Sequence, residues 1–214
     1  MTGSEDVTER PRRRGTPPKG DRREQAILDA AEALLEERGL DPVTVEQIAA
    51  GAGISRASLY FYFGSKQEVV TALVARTMAV TLYDADTRAG ESDVPPKETI
   101  ERSIRRIEKQ WLDHGVVMRA AVDNAPSNPE VREIWRGTVD LYIELLGDVL
   151  VRAGVPDDGG PTGARALAKG LAWMGERNFY IASANSKAEV RRVAETVLAI
   201  WFSAIEVSAA GPGS

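Results

Sequence analysis

Arg56, Ala57 and Ser58 stand side by side as one long cation, one methyl-sized surface and one hydroxyl, and Tyr60, Tyr62 and Lys66 follow within ten residues. Side chains of these types are the ones that meet DNA. A guanidinium can read a guanine edge, whereas tyrosine hydroxyls and a lysine ammonium bond phosphate oxygens, which positions a protein without reading sequence. Arg56 and Ser58 are therefore expected to read bases, and Tyr60, Tyr62 and Lys66 to hold phosphates. Thr44, Ser55 and Ala57 complete the expected DNA-facing set. Acidic residues outnumber basic ones over the chain, 32 to 27, yet Gln47 to Gln67 contains no Asp or Glu. An acid-free window suits approach to a phosphate backbone.

The elements that must position these side chains are two short helices. Thr44 is a good N-cap, and Gln47 three residues on completes a capping box. Val45, Ile48 and Ala49 give the i, i+3, i+4 apolar spacing of a helix seated on a core. Gly51 and Gly53 then interrupt it, and such a turn sets two helices at the crossing angle of a helix-turn-helix. Ser55 caps the second helix, expected over 56–63, whose N-terminal end is the part that enters a major groove in such motifs. Leu59 and Phe63, four apart, face the core. Spacing alone is also compatible with a small helical hairpin that has no DNA role.

The string GISRASLYFYFGSK resembles the recognition-helix signature of the TetR family of bacterial repressors, with Leu59, Tyr60, Phe63 and Lys66 at the recurring positions. The likeness extends upstream through 27–35 and downstream into 69–73. It implies a DNA-binding head followed by a helical domain that binds small inducers and dimerises.

Composition narrows the alternatives. A chain of 214 residues can bury a substantial core. There is no Cys, which removes disulfides, thiol chemistry and thiolate zinc sites. No apolar run reaches the about 18 residues that span a membrane, and the N-terminus lacks the apolar core of a signal peptide. The expectation is a soluble, cytoplasmic protein without membrane contact. The net charge of −5 is opposite to the usual basic footprint of a nucleic-acid binder, so where the charges sit matters more than their sum. Catalysis finds no set of groups: the one His, His114, lies near an expected helix end, the acids fall on polar faces, and no nucleophile elbow, P-loop or dinucleotide fingerprint occurs. No metal or cofactor is expected, and the protein is expected not to be an enzyme.

In chain order, residues 1–20 lack apolar periodicity and are expected to be disordered. Their basic run, Arg10 to Arg14, reads either as an arm for the minor groove or as a solvated tail. Residues 21–38 form an amphipathic helix ended by Gly39, whose acids Glu32, Glu36 and Glu37 must face away from DNA. A long helix over 66–88, roughly 34 Å at 1.5 Å per residue, links the head to everything beyond it. After a break at 89–96 the pattern is helical throughout: 97–114, a short helix 116–125, 129–152, 161–183 and 187–208, with a disordered tail from 209. The last helix carries two adjacent apolar rows, more than one core needs. Helices 161–183 and 187–208 are expected to pair with their copies in a homodimer that presents two recognition helices to a palindromic operator on double-stranded DNA.

Eight of the thirteen aromatic residues, including all four tryptophans, lie between Trp111 and Phe202. They read as a plain aromatic core or as the walls of a ligand cavity between helices. The segment from Trp173 to Tyr180, with Ile200-Trp201, is similar to the ethionamide-resistance repressor branch of the family, which implies a long apolar pocket lined by aromatics. The ligand-binding set expected on this basis is Ile107, Trp111, Trp135, Tyr142, Trp173, Met174, Gly175, Asn178, Phe179 and Trp201. Asparagines that bond ligands in that branch are replaced here by Ala172 and Gly175, which implies a more apolar ligand. The chain is thus expected to be all-α: an N-terminal three-helix helix-turn-helix domain (21–67) linked by a long helix to a ligand-binding and dimerisation domain (68–208), acting as a repressor that a small apolar effector releases from its operator.

Overall fold

The computed structural model describes residues 19–86 and 93–209. The basic run at Arg10 to Arg14, the first half of the break at 89–96 and the last five residues lie outside them. Among the described residues every regular element is helical: α1 (Lys19–Arg38), α2 (Val45–Gly51), α3 (Arg56–Tyr62), α4 (Lys66–Asp86), α5 (Pro96–Asn124), α6 (Pro129–Arg152), α7 (Ala164–Asn185) and α8 (Lys187–Ala209).

The head folds as its local signals dictate. The Thr44 hydroxyl accepts from the Gln47 amide at 3.3 Å while the Gln47 side chain accepts from the Thr44 amide at 2.9 Å, so both halves of the capping box are present. Gly39 and Gly53 adopt φ of 74° and 67°, the left-handed region that ends α1 and turns α2 into α3. Ile27, Ala31, Leu35, Ile48, Ala49, Leu59 and Phe63 are buried together with Val69 and Leu73 of α4. The head therefore has no core independent of α4.

Beyond the head, α4 packs against α1, α5 and α6, and α5 to α8 form the second domain. α5 spans Pro96 to Asn124 across a kink at His114 (φ −128°, ψ 26°), a non-helical residue that divides it into two helical stretches beside the break expected at Gly115. The buried stripe resumes past the kink with Val117, Met118 and Ala121. α5 meets α7 here, where Arg119 donates to the Ser183 carbonyl at 2.7 Å. α7 begins at Ala164, later than the expected 161, because residues 156–163 fold back and the Ala164 amide bonds the Pro156 carbonyl at 2.8 Å. The corner between α5 and α6 grips α4 through two asparagines. Asn124 accepts from Gln67 at 3.3 Å and Asn128 donates to Thr71 at 3.0 Å.

Candidate functional site

The recognition surface is built on α3. Ser55 Oγ accepts from the Ser58 amide at 3.1 Å and lies 2.9 Å from Ser58 Oγ, so the two hydroxyls form one polar patch at the helix start. Arg56 and Ala57 beside it are exposed. Arg56 is held, not loose: Nη1 lies 2.5 Å from Glu46 Oε1, Nη2 donates to the Tyr60 hydroxyl at 3.1 Å, and the guanidinium lies 5.4 Å from the Tyr60 ring centre. The Tyr60 hydroxyl first, and Glu46 second, push the guanidinium further above its ordinary pKa. Glu46 is lowered chiefly by a backbone hydrogen bond, with Arg56 adding to it. Tyr62 is half-buried and meets the edge of Phe61, which is 84% exposed.

Lys66 departs from its expected role. Its ammonium donates to the carbonyls of Leu40 and Asp41, 3.3 Å each, and so ties the start of α4 to the turn after α1. Those carbonyls fall where the chain leaves α1 and need a donor; the lysine points inward to them instead of out towards a phosphate. Thr44 and Ser55 are the caps of α2 and α3, and each hydroxyl that accepts a backbone amide keeps its own proton to donate. Two residues of this surface were not anticipated. Glu46 sits one position outside the acid-free window and reaches into it. Phe61 reads as core by type, but it stands two positions, some 200° round a helix, from buried Leu59.

The second site is a cavity of about 690 Å³, its mouth included, enclosed by α4, α5, α6, α7 and α8. Trp111 forms its centre, edge-on to Trp135 at 6.3 Å and parallel to Phe179 at 6.4 Å. Ile107, Tyr142, Gly175 and Trp201 join them, so seven of the ten expected residues converge on one space. Trp173, Met174 and Asn178 do not line it. At 3.6 residues per turn, Ala172, Gly175, Glu176 and Phe179 share the inner face of α7 and the other three turn away. Asn178 is exposed and spends its amide on the Met174 carbonyl at 2.8 Å. The cavity adds Met78 from α4, Ile104, Gln110 and Met118 from α5, Thr138, Val139 and Leu146 from α6, Leu171 from α7 and Val197 from α8. Gln110 donates to the Thr77 carbonyl at 3.1 Å, and Thr138 to that of Ile134 at 2.8 Å. Glu176 also lines the cavity, with its side chain 8% exposed; burial raises its carboxyl above the ordinary value of 4.5.

Residues 27–73 match the model of bacterial regulatory proteins of the tetR family, and residues 100–206 that of the C-terminal domain of the transcriptional regulator EthR. The HTH-type transcriptional regulator EthR of Mycolicibacterium smegmatis is 32% identical over 199 residues, 90% of each chain. The chain belongs to the TetR family. EthR of Mycobacterium tuberculosis (strain H37Rv) is 33% identical over 200 residues, covering 90% of this chain and 91% of that one. A TetR-like transcriptional regulator from Rhodococcus sp. RHA1 shares the fold with a TM-score of 0.66 and 26% identity, over 89% of this chain and 99% of its own.

As a TetR-family protein this is a DNA-binding transcriptional regulator and not an enzyme. The family match over 27–73 covers the recognition surface, and the match over 100–206 covers most of the cavity walls. Among the described residues no helix is long and apolar enough to cross a membrane, and no group of three or more His, Asp or Glu side chains could hold a metal ion.

Proposed function

We propose that the protein is a homodimeric repressor that binds a palindromic operator and leaves it when a small, mainly apolar molecule fills the cavity. The observation that carries this reading is that α4 serves both sites. Val69 and Leu73 belong to the core of the head, and Met78, five residues further on, is a wall of the cavity. A molecule that displaces Met78 acts on the helix on which the recognition helix is seated. α4, 21 residues and about 32 Å long, turns a small displacement into a changed spacing of two DNA-reading heads. The ligand shifts the equilibrium only by its preference for one conformation, and a complete reversal takes about 5.5 kcal/mol. Dimerisation is supported by Ile181, Ile200 and Val207, exposed apolar side chains on α7 and α8. A twofold pair would offer its recognition helices to half-sites about 34–36 Å apart or a multiple of it.

Gly175→Trp tests the reading. A Cβ at Gly175 meets Val197 at an ordinary 3.7 Å, so a side chain can start there, between α7 and α8 on the cavity wall. The variant should stay dimeric, lose affinity for the DNA beside its own gene and no longer respond to cavity ligands. Normal operator binding with lost ligand binding would keep the cavity and remove the coupling.

A further inference from the structure

Glu176 is out of character with its surroundings. It lies on the inner face of α7 in a cavity walled by tryptophans, Phe179 and aliphatic side chains, with only 8% of its side chain exposed. Buried carboxylates are ordinarily paired or hydrogen-bonded, since burial without a partner is costly. Here the nearest cation among the described residues is Arg177, whose Nε stands 4.0 Å away, beyond hydrogen-bonding distance. That guanidinium lies 4.9 Å from the Tyr180 ring centre, with its side chain 57% exposed. Among the described residues that line the cavity there is no Lys, Arg or His.

We propose that Glu176 is the polar anchor of the cavity and that the effector is an apolar amine, a hydrocarbon or aromatic body bearing one ammonium group. This inference rests on the cavity being the effector site. The carboxylate has already lost much of its water in the empty protein, so an ammonium placed against it adds mainly its own desolvation, and a charge-assisted hydrogen bond results. Burial, which makes Glu176 hold its proton more readily, does not oppose this. Neutral amine meeting carboxylic acid and ammonium meeting carboxylate give the same complex after one proton crosses the hydrogen bond. An anionic head group meets the opposite situation, a like charge with no cation lining the space, and a carboxylate ligand is disfavoured.

The test uses three probes of equal chain length, decylamine, decanol and decanoate, below their aggregation limits. They are titrated at pH 7 into the full-length dimer while its tryptophan fluorescence is read. Decylamine should bind at least tenfold more tightly than decanol, decanoate should bind most weakly, and decylamine should release operator DNA at the lowest concentration. In Glu176→Gln the preference for the amine over the alcohol should vanish. If decanol binds and releases DNA but decylamine is no tighter, or if the amine preference survives in Glu176→Gln, the amine proposal is wrong and the apolar-effector reading stands. If none of the three perturbs the tryptophans, both fall.

Discussion

Glu32 of α1 and His114 of α5 are in direct contact, Oε1 to Nδ1 at 2.5 Å, at the one residue where α5 bends. The other oxygen of the same carboxylate accepts from Arg76 of α4 at 2.9 Å, and Arg76 also reaches Asp29 at 2.6 Å. A single glutamate of the DNA-binding head thus touches both helices through which the cavity meets that head. Trp111, on the cavity, is three residues before His114. Glu32→Ala should leave the affinity for cavity ligands unchanged and weaken their effect on operator binding by about 0.5–2 kcal/mol. Operator titrations by fluorescence anisotropy, with and without a saturating probe, measure that difference. An unaltered ligand effect would show that the contact is structural only.

Lys66 and Arg56 should separate cleanly. Lys66→Met removes two hydrogen bonds from a charged donor and should cost about 1–2 kcal/mol of stability, lowering the melting temperature by about 2–4 °C for each kcal/mol in a chain of this size. The salt dependence of DNA binding should not change. Arg56→Ala should leave the melting temperature alone and lower affinity for the preferred operator about ten- to a hundredfold. Glu46→Gln, which removes the carboxylate beside Arg56, should strengthen binding to specific and random DNA alike, most at low salt. A lower salt slope in Lys66→Met would restore that residue to the phosphate contacts.

Burial raises the Glu176 carboxyl, and the sign of its effect on stability follows. Between the ordinary value of 4.5 and its raised folded value, the folded protein binds more protons at this site than the unfolded chain does. Stability from this group is therefore fully present below 4.5 and falls as pH rises through that window. Glu176→Gln should be more resistant to urea than the wild type at pH 7, and the advantage should vanish at about pH 4. Equal stabilities at both pH values would mean that the carboxylate is better solvated than its burial indicates.

The exposed face of α7 and α8 offers a test of assembly. Ile181 and Ile200 are 54% and 37% exposed. If they are covered by a second copy, Ile181→Asp with Ile200→Asp should weaken the dimer by about 3 kcal/mol or more, since each aspartate would be buried without a partner. Sedimentation of both proteins at micromolar concentration decides this. A wild-type monomer would also remove the palindromic operator.

The head was legible in the sequence because its determinants are local. The Thr44–Gln47 box, the Ser55 cap and the turn at Gly53 lie within a few residues of what they control. What was not legible depends on partners distant in the chain. Lys66 turns to carbonyls about 25 residues earlier, a demand that no spacing rule expresses. The grouping of the aromatics was compatible with a plain core or a cavity, and the likeness to the ethionamide-resistance repressor branch pointed to the cavity; neither says which helix faces contribute. Trp173 belongs to the right helix and the wrong face, whereas Glu176 occupies the right face and is of a type usually assigned to the surface. Gly115 marked the interruption of α5 to within one residue, the non-helical position being His114.

The two asparagines of the α5–α6 corner carry a last consequence, in the time domain. Gln67 and Thr71 lie one helical turn apart on α4, and Asn124 and Asn128 clasp them from a single turn of chain. A fluctuation that frees the first turns of α4 from that corner breaks both asparagine hydrogen bonds in the same event. The amides of 66–74 and 120–131 therefore belong to one opening unit and should lose deuterium protection together, at a common rate. The corner's lifetime then sets the fastest pace at which the recognition helix can change its seat.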